Sequence, residues 1–274
     1  MPRKSFSDVI SQFSLNIDTE FNKLRHLFFR ENSLRWQIEY LRIEKISPYM
    51  ACSRLFKRFP FRRTMLSLKE FDEQYNFHYD SILHVEDVDV LIGLCEYIYN
   101  LSIYLLSSEY SDCASFFERH IESLVGELHH RIQMKKDDRS FFIVPEDEFV
   151  LAACTDLPDD QSISLLEYTH HTKRRDIEYK RNTLRTIAGI LEPVRSELNN
   201  YNVNLFFNYI NNCNIRHNNL ADGKYYRSYI ARKNSDEVIV LYDRLFSLGL
   251  LLLLEKENKN AIGELEKDKE LVGK

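Results

Sequence analysis

Only seven glycines and six prolines punctuate the 274 residues of this chain, and that scarcity constrains its fold more than any motif does. An average composition would place roughly 19 glycines and 14 prolines in such a length. Sheet-rich folds use these residues at nearly every turn, so long helices with few breaks are expected. The chain is long enough for one large domain or two modest ones, each with a real core. Its 16 tyrosines and 18 phenylalanines predict that aromatic rings build much of that core. The formal net charge of −5 is no global signature of nucleic-acid binding, so any such function has to come from local patches.

Hydrophobic spacing sketches the elements. Phe6, Ile10, Phe13, Ile17, Phe21, Leu24 and Phe28 recur at steps of three and four, which predicts an amphipathic helix over about residues 5–30. Trp36, Ile38 and Tyr40 alternate, which fits either a short strand or the start of another helix. Val85 to Ser107 reads as a nearly all-round apolar helix with an acidic start at Glu86, Asp87 and Asp89, as the helix dipole favours. Asp112 to about Lys136 reads as a further helix with a basic end. Ser140 to Pro145 is the best strand candidate and suits a sheet edge. The expected class is mostly α, a multi-helix protein with at most one small strand element.

An acidic stretch over 145–162, broken by Pro145 and Pro158, suggests the boundary. The expected division is an N-terminal helical domain over 1–160, a C-terminal helical bundle over 161–258 and a disordered polar tail over 259–274. Within the bundle, Ile177, Leu184, Ile187, Leu191, Val194 and Leu198 share one face of a first helix, which Pro193 should kink or break. A second helix is expected over about 203–220. The third should start at an N-cap Ser235 and run to about Glu257. Its apolar run Leu245–Leu254 is too short to span a bilayer and reads as a central core helix. The five cysteines, Cys52, Cys95, Cys113, Cys154 and Cys213, are scattered without CxxC spacing, which fits neither a disulfide framework nor a zinc ribbon. Met1 to Phe6 lacks the apolar region of a signal peptide, so a cytoplasmic protein with no membrane partner is expected.

The most informative stretch for function is Asn211-Asn212-Cys213-Asn214-Ile215-Arg216-His217-Asn218-Asn219. Asparagine is a poor helix former, because its amide competes with the backbone for hydrogen bonds. So many amides together must be satisfied by tertiary contacts or by a ligand. If the helix continues, Phe206, Tyr209 or Ile210, Cys213, His217 and Leu220 share an apolar stripe beside Asn208, Asn212, Arg216 and Asn219. Two readings stay open: buried side chains hydrogen-bonded by the surrounding amides, or a polar pocket in which His217 moves a proton and Arg216 holds a phosphate.

A C-terminal helical bundle with this Asn-Arg-His-Asn cluster near a helix end resembles the HEPN superfamily of small all-helical domains. Many of its members are RNases of abortive-infection and toxin–antitoxin systems. The resemblance covers about residues 165–258. The family usually places four to six residues between its Arg and its His, often beginning with Asn, whereas here Arg216 adjoins His217. The resemblance implies metal-independent RNA cleavage by attack of a ribose 2′-OH on the adjacent phosphate. His217 would be the acid or base and Arg216 would neutralise the developing charge. Asn212, Asn214, Asn218 and Asn219 would support them. It further implies an all-α RNase of antiviral defence, tRNA or mRNA as substrate, a site at a homodimer interface, and an antitoxin or defence-system partner protein.

Two basic tracts are candidate RNA contacts. Arg54, Lys57, Arg58, Arg62 and Arg63 interleave with Phe56, Phe59 and Phe61, the combination of cations and aromatics that suits single-stranded RNA. Lys173, Arg174, Arg175, Lys180 and Arg181 form the second. The plainer reading is a solvated helix face with the phenylalanines in the core. Glu127-x-x-His130 and Glu167-x-x-His170 have the form of di-iron ligand pairs. That fold needs another ligand-bearing helix between them, where this chain has a strand-like run and an acidic loop. No metal and no cofactor are expected, and no P-loop, GxGxxG, GxSxG or HExxH occurs. The leading expectation is an RNA-targeting effector with its site at Arg216 and His217. The alternative is a non-catalytic interaction or scaffold protein whose cluster is a structural hydrogen-bond network.

Overall fold

Most helix starts among the described residues are made by side chains. In the computed structural model, Asn16 accepts the Thr19 N–H, Ser47 the Met50 N–H, Ser67 the Glu70 N–H and Asp87 the Asp89 N–H. Each satisfies a backbone donor that the first helical turn leaves without a partner. The structure describes residues 15–38, 42–62, 64–105, 110–136, 139–213, 215–216 and 230–272, with only the backbone for 35–38, 42–43, 200, 231 and 267–272. The chain is mostly α and divides into two compact units, Met1–Ile143 and Val144–Lys274.

In the first unit, α1 (Ile17–Arg25) continues through a π turn, His26–Arg30, so the amphipathic helix expected over 5–30 is present from residue 17. Residues 1–14 lie outside the described residues. Next come β1 (Leu34–Ile38) and β2 (Arg42–Ile46), an antiparallel hairpin with Leu34 opposite Ile46 and Ile38 opposite Arg42, which places Trp36 and Ile38 on a strand, while Tyr40 lies outside the described residues. Helices α2 (Pro48–Leu55), α3 (Leu68–Tyr75), α4 (Val88–Ser102) and α5 (Ser111–Glu127) complete the unit. Rings fill its core: Phe28 meets Phe29 at 5.1 Å and Phe117 at 5.5 Å, both edge-to-face, the arrangement that the ring quadrupole favours. Val88–Leu105 has mean hydropathy 1.3 and is long and apolar enough to cross a membrane, but 61% of it is buried inside the protein.

The structure corrects the end of α5. The helix stops at Glu127 rather than near Lys136, and the chain turns through His129 at φ 54° into β3 (His130–Met134). β3 pairs with β4 (Phe141–Pro145), so the predicted strand recruits its neighbour. An isolated strand would leave a row of backbone donors and acceptors unpaired. Asn100 of α4 also exchanges two hydrogen bonds with the Phe141 backbone, at 2.7 and 2.8 Å, and Glu96 accepts the Ile143 N–H at 2.8 Å. Among the described residues the strands form two small hairpins rather than one element.

The second unit begins at Val144, earlier than the expected 161, and so includes α6 (Glu148–Ala153) and α7 (Asp159–Glu167). Helix α8 (Ile177–Leu191) gives way to a 3-10 turn, Glu192–Glu197, at Pro193, as expected of a residue with no N–H to donate. Helix α9 (Asn200–Asn212) starts earlier than 203 because Asn199 accepts the Tyr201 and Asn202 N–H groups at 3.0 and 3.2 Å. It stops well before 220. Helix α10 (Ser235–Val272) starts from Asn234 rather than Ser235. Asn234 and Glu237 exchange side-chain and backbone hydrogen bonds at 2.9 Å in a reciprocal capping box.

With 38 residues, α10 extends roughly 57 Å and takes in the tail expected to be disordered. Its last turns are rich in Glu, Lys and Leu, all good helix formers. Lys259 there pairs with Glu255 at 3.2 Å and donates to the Glu197 carbonyl.

The apolar half of α10 packs closest at Gly249. A Cβ there would lie 2.9 Å from Ile187 Cγ2 and 3.3 Å from Phe206 Cε2. Gly249→Ala is expected to destabilise the second unit by about 1–2 kcal/mol, because overpacking outweighs the gain in helix propensity. Gly189→Ala, where a Cβ meets nothing within 4 Å, should stabilise by up to about 1 kcal/mol. Urea denaturation of the two variants checks this, and equal signs for both would refute the close packing.

Candidate functional site

The described half of the Asn/Arg/His cluster is a helix end. Helix α9 stops at Asn212, where the Cys213 N–H reaches the Tyr209 carbonyl at 2.8 Å and the Arg216 N–H reaches the Ile210 carbonyl at 3.4 Å. Arg216 is thus not on a helical stripe with Asn208 and Asn212, because the asparagine-rich segment leaves the helix before reaching it. Cys213 and Ile215 are buried and anchor the segment, and burial pushes the Cys213 thiol up to about 11. Asn212 donates to Asn208 one turn earlier. The Arg216 guanidinium pairs with Glu192, contacts Asn211 at 3.4 Å and lies 5.7 Å from the Phe207 ring centre, with 38% of its side chain exposed. His217, Asn214, Asn218 and Asn219 lie outside the described residues.

The first basic tract does not present aromatics for stacking. Phe56 and Phe59 are fully buried, and Phe59 stacks on Tyr104 at 4.8 Å. Phe61 packs on Phe71 at 5.3 Å. Arg54 pairs with Glu44 at 2.8 Å, and Arg62 donates to the Lys57 and Met65 carbonyls at 3.0 and 3.2 Å. Lys57 and Arg58 are exposed, and Arg63 lies outside the described residues. The plainer reading of the phenylalanines holds here, because burying a ring releases more free energy than a solvated stack recovers.

The second tract is divided by the turn of α8. Lys173 lies 3.6 Å from Asp176 and 4.8 Å from the Tyr179 ring centre. Arg181 is buried, pairs with Glu178 at 2.6 Å and leaves its Nε without a hydrogen bond. Arg174, Arg175 and Lys180 instead line one cavity of about 620 Å³, together with Tyr168, Asp236, Ile239, Val240 and Asp243.

Lys180 sits at the buried end of this arrangement, with its side chain 5% exposed. Its ammonium is 2.7 Å from Asp243 and 4.0 Å from the Tyr168 ring centre. Tyr168 stacks on Phe246 at 3.8 Å and donates to Asp243 at 3.0 Å. Burial, and then the Asp243 charge, hold the Tyr168 phenol well above its ordinary pKa, so it remains a donor. Desolvating an ammonium costs several kcal/mol, which the carboxylate and the ring face offset together.

A second polar centre, in the first unit, goes unmarked by any spacing in the sequence. Asp72 of α3 is 8% exposed and accepts hydrogen bonds at 2.8 Å from both Tyr49 of α2 and Tyr97 of α4. It borders a cavity of about 300 Å³ with Lys69, Glu73, Phe77, His78 and Asp80. Burial raises the Asp72 carboxyl to about 6, against the opposing pull of the two phenol donors. The Glu-x-x-His pairs are not ligand stripes of single helices. Glu127 ends α5 while His130 opens β3, and Glu167 ends α7 while His170 caps a 3-10 turn.

Comparison of the chain with protein-family models, curated proteins and solved structures finds no match.

Two predictions follow from these buried groups. Asp243→Ala strands a buried ammonium and should cost about 3–5 kcal/mol, whereas Lys180→Met leaves a carboxylate that is 48% exposed and should cost clearly less. Thermal melts of both variants at neutral pH decide this, and the reverse order would refute the assigned burial. For Asp72, the folded chain keeps a proton that the unfolded chain releases near pH 4. Stability from this group is therefore complete below about pH 4 and lost as pH rises through about 6. The Tm of wild type relative to Asp72→Asn should fall across that window, and a difference independent of pH between about 4 and 7 would refute it.

Proposed function

We propose that this chain is an RNA-targeting helical effector of a bacterial abortive-infection or toxin–antitoxin system, acting in the cytoplasm, with its RNA-contacting residues in the second unit. The observation that supports this reading is the exposure of Arg174 and Arg175 on one cavity, in the same unit as Arg216. Exposed guanidiniums match phosphate oxygens two at a time, here beside the carboxylates Asp147, Asp236 and Asp243 and in a chain of net charge −5. Cleavage, in this reading, uses His217 for proton transfer and Arg216 against the developing charge.

A second reading, a non-catalytic interaction protein, is favoured by the Arg216 side chain itself. Glu192, Asn211 and the Phe207 ring already engage it, as expected of a structural network. Induced expression in bacteria, with growth and a total-RNA gel as readouts, separates the two. The proposal expects wild-type toxicity with discrete RNA fragments, lost in Arg216→Ala and His217→Ala at equal soluble expression. It also expects Glu192→Gln, which frees the guanidinium, to cleave at least as well as wild type. Under the second reading RNA stays intact in every variant, and Glu192→Gln only loses about 0–1 kcal/mol of stability, the value of a half-exposed ion pair. Toxicity with intact RNA would overturn the nuclease.

A further inference from the structure

Asp243 meets the cavity of the second unit with one oxygen committed and one open. Oδ1 accepts from Lys180 at 2.7 Å and from Tyr168 at 3.0 Å, while Oδ2 makes no hydrogen bond among the described residues. The side chain is 48% exposed, so Oδ2 can take a donor from a ligand. An ionised carboxylate only accepts, so this position selects an O–H or N–H group and repels a second anion. The buried Lys180 ammonium and the raised Tyr168 phenol hold Oδ1 in place, and they act on the ligand through Asp243 rather than by touching it.

The rim is mixed in charge, with Asp147 and Asp236 beside two guanidiniums. Arg174 and Arg175 are both exposed there. Arg175 lies 3.5 Å from Asp236 in a pair whose side chains are 86% and 76% exposed, a contact weak enough for the guanidinium to turn to a better anion. Guanidinium forks match phosphate oxygens two at a time. Ile239 and the exposed Val240 add an apolar surface between the helix turns that carry Asp236 and Asp243. The volume of about 620 Å³ falls in the range of small-molecule sites.

We propose that this cavity binds one nucleotide unit, with its phosphate on Arg174 and Arg175, a ribose hydroxyl or base amino group on Asp243 Oδ2, and its apolar face on Val240. Inorganic phosphate offers nothing to Val240, and a dicarboxylate is repelled by Asp243. A nucleotide meets all three. The nucleotide comes either from an RNA strand or from the free pool. The inference rests on the RNA reading of the second basic tract for the strand source, and it is independent of cleavage at Arg216.

The test uses the full chain, wild type and the double variant Arg174→Ala/Arg175→Ala. Both arginines are exposed, and an unchanged thermal melt verifies the fold of the variant. Fluorescence anisotropy follows a labelled single-stranded RNA of about ten nucleotides, competed by adenosine 5′-monophosphate and by inorganic phosphate. The expected result is that both RNA and the mononucleotide bind wild type, compete with each other, and bind the double variant about tenfold or more weakly. The mononucleotide should displace RNA at a concentration at least about tenfold below that of phosphate. RNA that binds the variant as tightly as wild type would overturn the site and leave the RNA reading standing. A mononucleotide that binds through the arginines while RNA does not would support the site with free nucleotide as its ligand and remove the RNA reading. Phosphate competing as well as the mononucleotide, or no binding of any of the three, would overturn the inference.

Discussion

The unsatisfied backbone donors at each helix start are the constraint on which both units depend. A chain with seven glycines and six prolines has few residues of special backbone geometry with which to begin its helices. Short polar side chains do the work instead. The consequence reaches the candidate site. Asp176 accepts the Tyr179 N–H at 2.9 Å, which sets the first turn of α8. That turn sends Lys180 toward Asp243 while its neighbour Arg181 pairs with Glu178. Asn199, capping α9, likewise fixes where that helix begins, and hence which turn carries Asn208 and Asn212 to its end.

Lys180 in the second unit and Asp72 in the first are both kept out of water, and the two sites solve the problem differently. Lys180 has an opposite charge at 2.7 Å and an aromatic face at 4.0 Å, so its partner cannot be removed without leaving a bare buried ammonium. Asp72 has two neutral phenol donors at 2.8 Å. Neutral donors stabilise the carboxylate less than a cation does, which is why burial still raises its pKa. The first arrangement yields a fixed polar floor with an open acceptor. The second ties α2, α3 and α4 together through a group that titrates near neutrality.

The asparagine-rich segment illustrates how a local rule can point to the right place with the wrong geometry. Poor helix propensity marks residues 211–219 as unusual, and α9 does end at Asn212. Continuing the helical wheel past that point assigns Arg216 to a stripe with Asn208 and Asn212. The segment turns away instead, and Arg216 reaches back to Glu192 beside the Pro193 break. The helix expected over 203–220 breaks at Asn212, and the partner was not legible either, since Glu192 is distant in sequence and adjacent only after α8 and α9 pack.

Much of the fold was legible from the sequence alone, because helix periodicity and capping are local. The mostly α class, the apolar helix α4, the break at Pro193 and the strand at Phe141–Pro145 all follow from spacing and residue type. Other features depended on contacts between distant residues. His130–Met134 is strand because Phe141–Pro145 needs a partner, and α10 continues to Val272 where its composition alone suggested a loose tail. Within the candidate site, Arg174, Arg175 and Lys180 could be named from the sequence as a basic tract. Asp243, Tyr168 and Val240 could not, because nothing local relates them to that tract. Only packing of α7, α8 and α10 brings a lysine, a carboxylate and a stacked tyrosine within hydrogen-bonding reach. The physical reason is that periodicity reports which face of an element is apolar, whereas the identity of the element that covers it is decided by side-chain shape and by the need to satisfy each buried polar group.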